Sequence, residues 1–205
     1  MTSTAHDYAW IADSDWFPDC LDAGYSLTLV RSRPPREALD LLGAVPQGFA
    51  DGVDDLFDCA EELRAWVRGG PDASFTVGAL PVSGDGGDWT LLLALDRSAG
   101  LDAAQLAALS RGGDAVQHDS AADGSADRFR HYRDGERRVS FAHPDAADGP
   151  DAAATRALLA EVDRRGGGDL RPAVFALAER LTGVRITEEL VRDGAFALGV
   201  VPDGD

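Results

Sequence analysis

Phe129-Arg130-His131-Tyr132-Arg133-Asp134-Gly135-Glu136-Arg137-Arg138-Val139-Ser140-Phe141 is the stretch that decides the fold. An Asp-Gly pair between two runs carrying aromatic and β-branched residues is a strong short-range hairpin signal. A two-residue turn at Asp134-Gly135 puts Phe129 on the face opposite Val139 and Phe141. A three-residue turn through Arg133 and Asp134, with Gly135 left-handed, pairs Tyr132 with Glu136 instead. That register gathers Phe129, Val139 and Phe141 on one face, and it is the one expected. It leaves Arg130 and Arg138 together on the opposite face.

Outward from this hairpin, the same pattern recurs. Ser74–Val82 and Trp89–Leu95 read as paired strands joined by a flexible loop, Ser83 to Asp88. Tyr25–Arg31 alternates apolar and polar residues, which predicts a strand with one buried face. Ala115–Asp119 is a short strand and Ala195–Val201 a final one. Arg33–Pro35 breaks the first strand, and helices are expected after it to about Leu42, over Asp54–Val67, Asp102–Leu109 and Asp151–Arg165, from Pro172 to Leu181, and after Thr187. In the first long helix Leu56, Cys59, Ala60, Leu63 and Val67 recur at spacings of three and four, so Cys59 is expected to be buried. Asp102 caps its helix, Gln105 returns the bond, and Leu101 with Leu106 closes a hydrophobic staple.

Hairpins outnumber crossover units. The expected class is therefore α+β: an antiparallel or mixed sheet built from hairpins, with helices packed mainly on one side. Residues 1–205 are expected to form a single domain. The aromatic segment 7–17 would be pinned onto it, and residues 119–127, 144–150 and 166–169 would be flexible.

Composition sets the electrostatics. Thirty-six acidic side chains face 19 basic ones, a formal net charge of −17, and every basic residue is arginine. Lysine and asparagine are absent, and 28 aspartates stand against 8 glutamates. A very GC-rich genome encodes such a mixture. Its physical effect is to repel phosphate backbones and anionic membranes and to favour a cationic protein partner. No signal peptide or apolar run of spanning length is read, so a cytoplasmic location is expected.

Chemical motifs are lacking. Cys20 and Cys59 form no metal or disulfide framework, the histidines have no ligand spacing, and no cofactor or metal is expected. Gly-x-Ser-x-Gly does not occur, and a chain without lysine has no Walker lysine or Schiff base. The candidates for ligand or partner binding are Arg31, Arg33, Arg111, Arg128, Arg130, His131 and Arg138, because arginine grips carboxylate and phosphate bidentately. The plainer alternative is that these arginines balance neighbouring aspartates. Trp10, Trp16, Trp66 and Trp89 are expected as core or half-buried anchors.

Several blocks, taken in order, resemble a mainly actinobacterial family of single-domain proteins of unknown function. They are Asp7-Tyr8-Ala9-Trp10-Ile11, Tyr25 to Arg31, the helix with Glu37, Leu42 and Gly43, and Trp89-Thr90-Leu91-Leu92. Leu109-Ser110-Arg111-Gly112, Phe129, Asp134-Gly135 and Val139-Ser140-Phe141 follow. The last block runs from Ala176 to Thr187. The chain departs from the family at Leu95–Gly100 and Asp119–Asp127, where asparagine-bearing turns are replaced. The resemblance implies one domain and no particular activity.

The functional expectation is a non-enzymatic acidic interaction protein, of adaptor or immunity type. The alternative is a small-molecule-binding protein or hydrolase with an arginine-centred pocket.

Overall fold

The computed structural model describes residues 3–13, 24–67, 74–95, 100–121, 127–163 and 170–202. Trp16, Phe17, Cys20, the glycines at 166–168 and the side chain of Trp66 lie outside the described residues.

Eight strands form one sheet. They are β1 (Tyr25–Arg31), β2 (Val45–Asp51), β3 (Ser74–Gly84), β4 (Gly87–Ala94), β5 (Asp114–Ser120), β6 (Asp127–Arg133), β7 (Glu136–Phe141) and β8 (Ala195–Pro202). Their order is β2-β8-β3-β4-β1-β5-β6-β7, with every neighbouring pair antiparallel. The helices are α1 (Trp10–Asp13), α2 (Pro35–Leu41), α3 (Gly52–Val67), α4 (Ala103–Leu109), α5 (Ala152–Val162), α6 (Arg171–Thr182) and α7 (Glu188–Asp193). The α+β class is as expected.

Both faces of the sheet are covered. On the broad face Leu27, Leu29, Leu91, Leu93, Val116, Phe129 and Phe196 pack with side chains of α3, α5, α6 and α7. On the narrow face Val30, Val77, Ala79, Leu92 and Ala115 pack under α2 and α4. The helices thus lie mainly on one side, with two on the other. This corrects the reading of β1, whose polar residues Ser26 and Thr28 are buried rather than solvated. A sheet with both faces covered hides its alternation.

The deciding hairpin delivers the expected grouping by another route. Asp134 and Gly135 both have positive φ (52° and 83°), the signature of a two-residue turn. Arg133 pairs with Glu136 and Tyr132 with Arg137, but His131 pairs with Val139. Arg138 is therefore an extra residue, and this one-residue bulge restores Phe129, Val139 and Phe141 to a common face. Phe129 and Phe141 pair directly and stack, ring centroids 5.0 Å apart.

Other elements are sharper than read. The β3–β4 loop closes at Asp85-Gly86, since Ser83 pairs with Asp88 and Gly84 with Gly87. Residues 144–150 include a single 3-10 turn, and Ser140 and Asp148 exchange backbone hydrogen bonds of 2.9 Å that tie the segment to β7. The sequence reading left β2 out. Among the described parts of segment 7–17, Tyr8 and Ile11 are fully buried, and the Tyr8 hydroxyl donates to Glu179 (2.9 Å). Trp89 is buried and Trp10 half-buried. Cys59 is half-buried rather than buried, its thiol pushed above its ordinary range by burial and by Asp55.

Candidate functional site

The seven candidate residues do not converge on one site. They divide among four places, and aspartates that the sequence reading passed over organise most of them.

On the broad face Asp114 is the centre. It stands opposite Arg133 across the β5–β6 pair. It accepts from His131 Nε2 at 2.9 Å and Arg133 Nε at 2.7 Å, with the Arg31 guanidinium at 3.6 Å. Arg31 and His131 are thereby brought together, and Arg111 is not part of the group. Burial pushes the Asp114 carboxyl upward, but the hydrogen bonds from His131 and Arg133 outweigh it and hold it below its ordinary value. His131 is held below its ordinary value chiefly by burial, against the pull of Asp114. A neutral imidazole donating from Nε2 to an ionised carboxylate is the resting state at neutral pH.

On the narrow face Asp119 plays the same part. It accepts from Ser26 Oγ (2.7 Å), Arg130 (2.7 Å) and Arg128 (3.2 Å), and Arg130 also donates to the Leu101 carbonyl at 2.7 Å. Gln117 extends the network with a 2.9 Å bond to Ser26. Asp119, expected to end the Ala115–Asp119 strand and to open the stretch 119–127, is the penultimate residue of β5, held by three side chains. Cross-strand aspartate–arginine pairing is the signal that was available, because Asp114 and Asp119 sit at the two ends of one strand opposite Arg133 and Arg128.

Arg138 does not share a face with Arg130. The bulge turns it toward the start of α5, where both Nε and NH2 reach Asp151 (2.9 and 2.8 Å). Arg33 pairs with Glu37 and donates to the Arg111 carbonyl at 2.7 Å. It also lines a groove of about 510 Å³ with Pro34, Pro35, Pro81, Val82 and Trp89, among others. Neither Arg31 nor His131 lines that groove.

The sheet edges differ. β7 is covered by the Ser140–Asp148 bridge, and the Asp151 amide donates to the Arg138 carbonyl. At β2 no further strand follows among the described residues. Five of its first five positions are exposed, with Val45 at 56% and Phe49 at 75%, and Leu41 at the end of α2 is 42% exposed. Between Glu37 and Glu62 stand eight carboxylates and no basic residue.

Among the described residues no cluster of three His, Cys, Asp or Glu side chains is placed to hold a metal ion, and no helix is long and apolar enough to cross a membrane. The chain belongs to the family of unknown function DUF6461, whose model matches residues 1–205. No curated protein and no solved structure matches it.

Proposed function

We propose that this chain is a non-enzymatic protein-binding module that docks a cationic protein segment at the β2 edge. The observation that carries the reading is the coincidence of exposed apolar side chains with a run of sequence that holds eight acids and no basic residue. Leu41, Val45 and Phe49 are exposed at that edge, and the carboxylates of residues 37–62 lie in the adjoining α2, β2 and α3. An apolar anchor ringed by one sign of charge fits a partner with apolar anchors among arginines or lysines.

A second copy of the chain is a poor occupant. Two molecules of net charge −17 would bring their acidic edges together. Pro46 and the register shift between Pro46 and Gly48 also interrupt the strand, a device that discourages edge-to-edge pairing. Side-chain anchoring at Phe49 and Val45, rather than a long backbone ladder, would hold the partner.

The arginine-centred alternative has less support. The guanidinium groups of Arg130, Arg133 and Arg138 are each within 3 Å of an aspartate oxygen, which is charge balance rather than readiness for a ligand.

The test uses synthetic peptides of about twelve residues that alternate arginine with valine or phenylalanine, and glutamate counterparts, titrated against the labelled protein. The expected result is binding of the cationic peptide alone, weakening as salt rises. Phe49→Ser should reduce affinity by about tenfold or more without changing the unfolding midpoint. Equal binding of both charge types, no binding of either, or an unchanged affinity in Phe49→Ser would overturn the proposal.

A further inference from the structure

Hydrogen bonding at the β2 edge narrows what a bound segment can do there. The Gly52 amide donates to the Gly194 carbonyl at 2.8 Å, whereas the Asp51 amide donates to Asp55 Oδ2 at 2.9 Å. Position 52 thus faces β8 and position 51 faces away from it. Main-chain direction alternates along an antiparallel strand, so Ala50 faces β8 and the Phe49 N–H and C=O face outward. On the other side of Phe49, Pro46 has no N–H to offer. Gln47, left unpaired by the register shift, turns its side-chain amide back to the Val45 carbonyl at 3.3 Å. Pro46 and Asp55 therefore bracket Phe49. A long added strand finds donors missing or taken on either side of it, whereas a single bridge finds a donor and an acceptor.

Side chains set the phase of that bridge. Phe49 pairs with Ala197, which packs against the narrow-face cluster, so the Phe49 ring lies on that side. A residue laid opposite Phe49 sends its side chain to the same side, and its neighbours in sequence point to the broad face. There α3 packs through Val53, Leu56 and Ala60 or their neighbours, with Asp54, Asp55 and Asp58 exposed in its first two turns. An apolar residue beside the Phe49 ring, with an arginine or lysine on each side of it, matches both surfaces.

Building on the docking edge proposed above, we infer that the bound segment makes one β-bridge, at Phe49. One apolar residue of an extended cationic chain exchanges two main-chain hydrogen bonds with the Phe49 N–H and C=O, antiparallel like every other pair in the sheet. The basic residues before and after it face the α3 carboxylates.

The probe is the peptide of about twelve residues alternating arginine with valine, added to the intact chain. At saturation, hydrogen exchange at the Phe49 amide should slow about tenfold or more, while the Asp51 amide keeps its rate. N-methylation of every valine amide removes the donor that the bridge needs and should weaken binding about five- to tenfold. N-methylation of every arginine amide leaves that donor in place and should change affinity by less than about twofold. If the parent peptide binds but the Phe49 amide stays unprotected, or the two methylated forms bind alike, the bridge is wrong and the docking edge stands. If the parent peptide does not bind, both fall.

Discussion

Gly52 lies so close to Arg192 that a Cβ at position 52 would fall 1.9 Å from the Arg192 carbonyl oxygen. Its φ is +86°, and its amide donates to the Gly194 carbonyl at 2.8 Å. This contact sets the start of α3 against the end of α7. Gly52→Ala is therefore expected to cost well over ~1 kcal/mol, combining the left-handed penalty with backbone displacement. Gly43→Ala is the control: φ is +68° but nothing lies within 4 Å, so only the backbone term of about 1 kcal/mol is expected. Urea unfolding of both variants measures the difference.

Acid should destabilise the fold in two stages. His131 has a folded-state value below its ordinary 6.5, so the unfolded chain takes up the proton first. Its contribution is fully present above pH 6.5 and is lost as pH falls from there through the folded value. Asp114, also lowered, loses its contribution below 3.8 by the same sign. His131→Gln should flatten the first stage in unfolding free energies followed from about pH 7.5 to about pH 5, a range that brackets the ordinary value of 6.5. An unchanged slope there would show that the Asp114 group does not govern it.

The Asp119–Arg130 pair is buried, and removing one partner leaves the other charge stranded. Asp119→Ala is expected to destabilise by about 3–5 kcal/mol. Asp119→Leu combined with Arg130→Met should recover much of that loss. A double-mutant cycle by denaturant titration gives the coupling.

The α4 cap offers a smaller, cleaner test. Asp102 Oδ1 accepts from the Gln105 amide at 2.8 Å, and Gln105 Oε1 accepts from the Asp102 amide at 2.9 Å. Asp102→Ala should cost about 1 kcal/mol, read as a shift in the denaturant midpoint with an unchanged slope.

That cap was legible in the sequence because all its determinants lie within four residues. So was the Asp134-Gly135 hairpin, though not its bulge: a one-residue slip is decided by packing between strands, here the demand that Phe129, Val139 and Phe141 share a core. β2 escaped notice because Pro46 and Gly48 read as breakers, and its partner stands about 150 residues away at Val200. Ser26 and Thr28 were read as a solvated face because the covering helices α2 and α4 are assigned to it only by tertiary packing. The arginine cluster was visible as a composition; the aspartates that divide it, Asp114 and Asp119, required the register of β5 against β6.

The position of β8 between β2 and β3 has a consequence for synthesis. β2 leaves the ribosome well before its partner, Ala195–Pro202, which is made after every other strand among the described residues. Until then Val45 and Phe49 belong to an unpaired segment, and chain elongation at roughly 5–20 residues per second leaves it waiting for several seconds or more. Pro46 and Gly48 guard it against premature pairing through that interval. A nascent chain stalled before residue 195 would leave Val45–Asp51 without its partner strand, so the docking surface proposed above takes shape only once Ala195–Pro202 has been made.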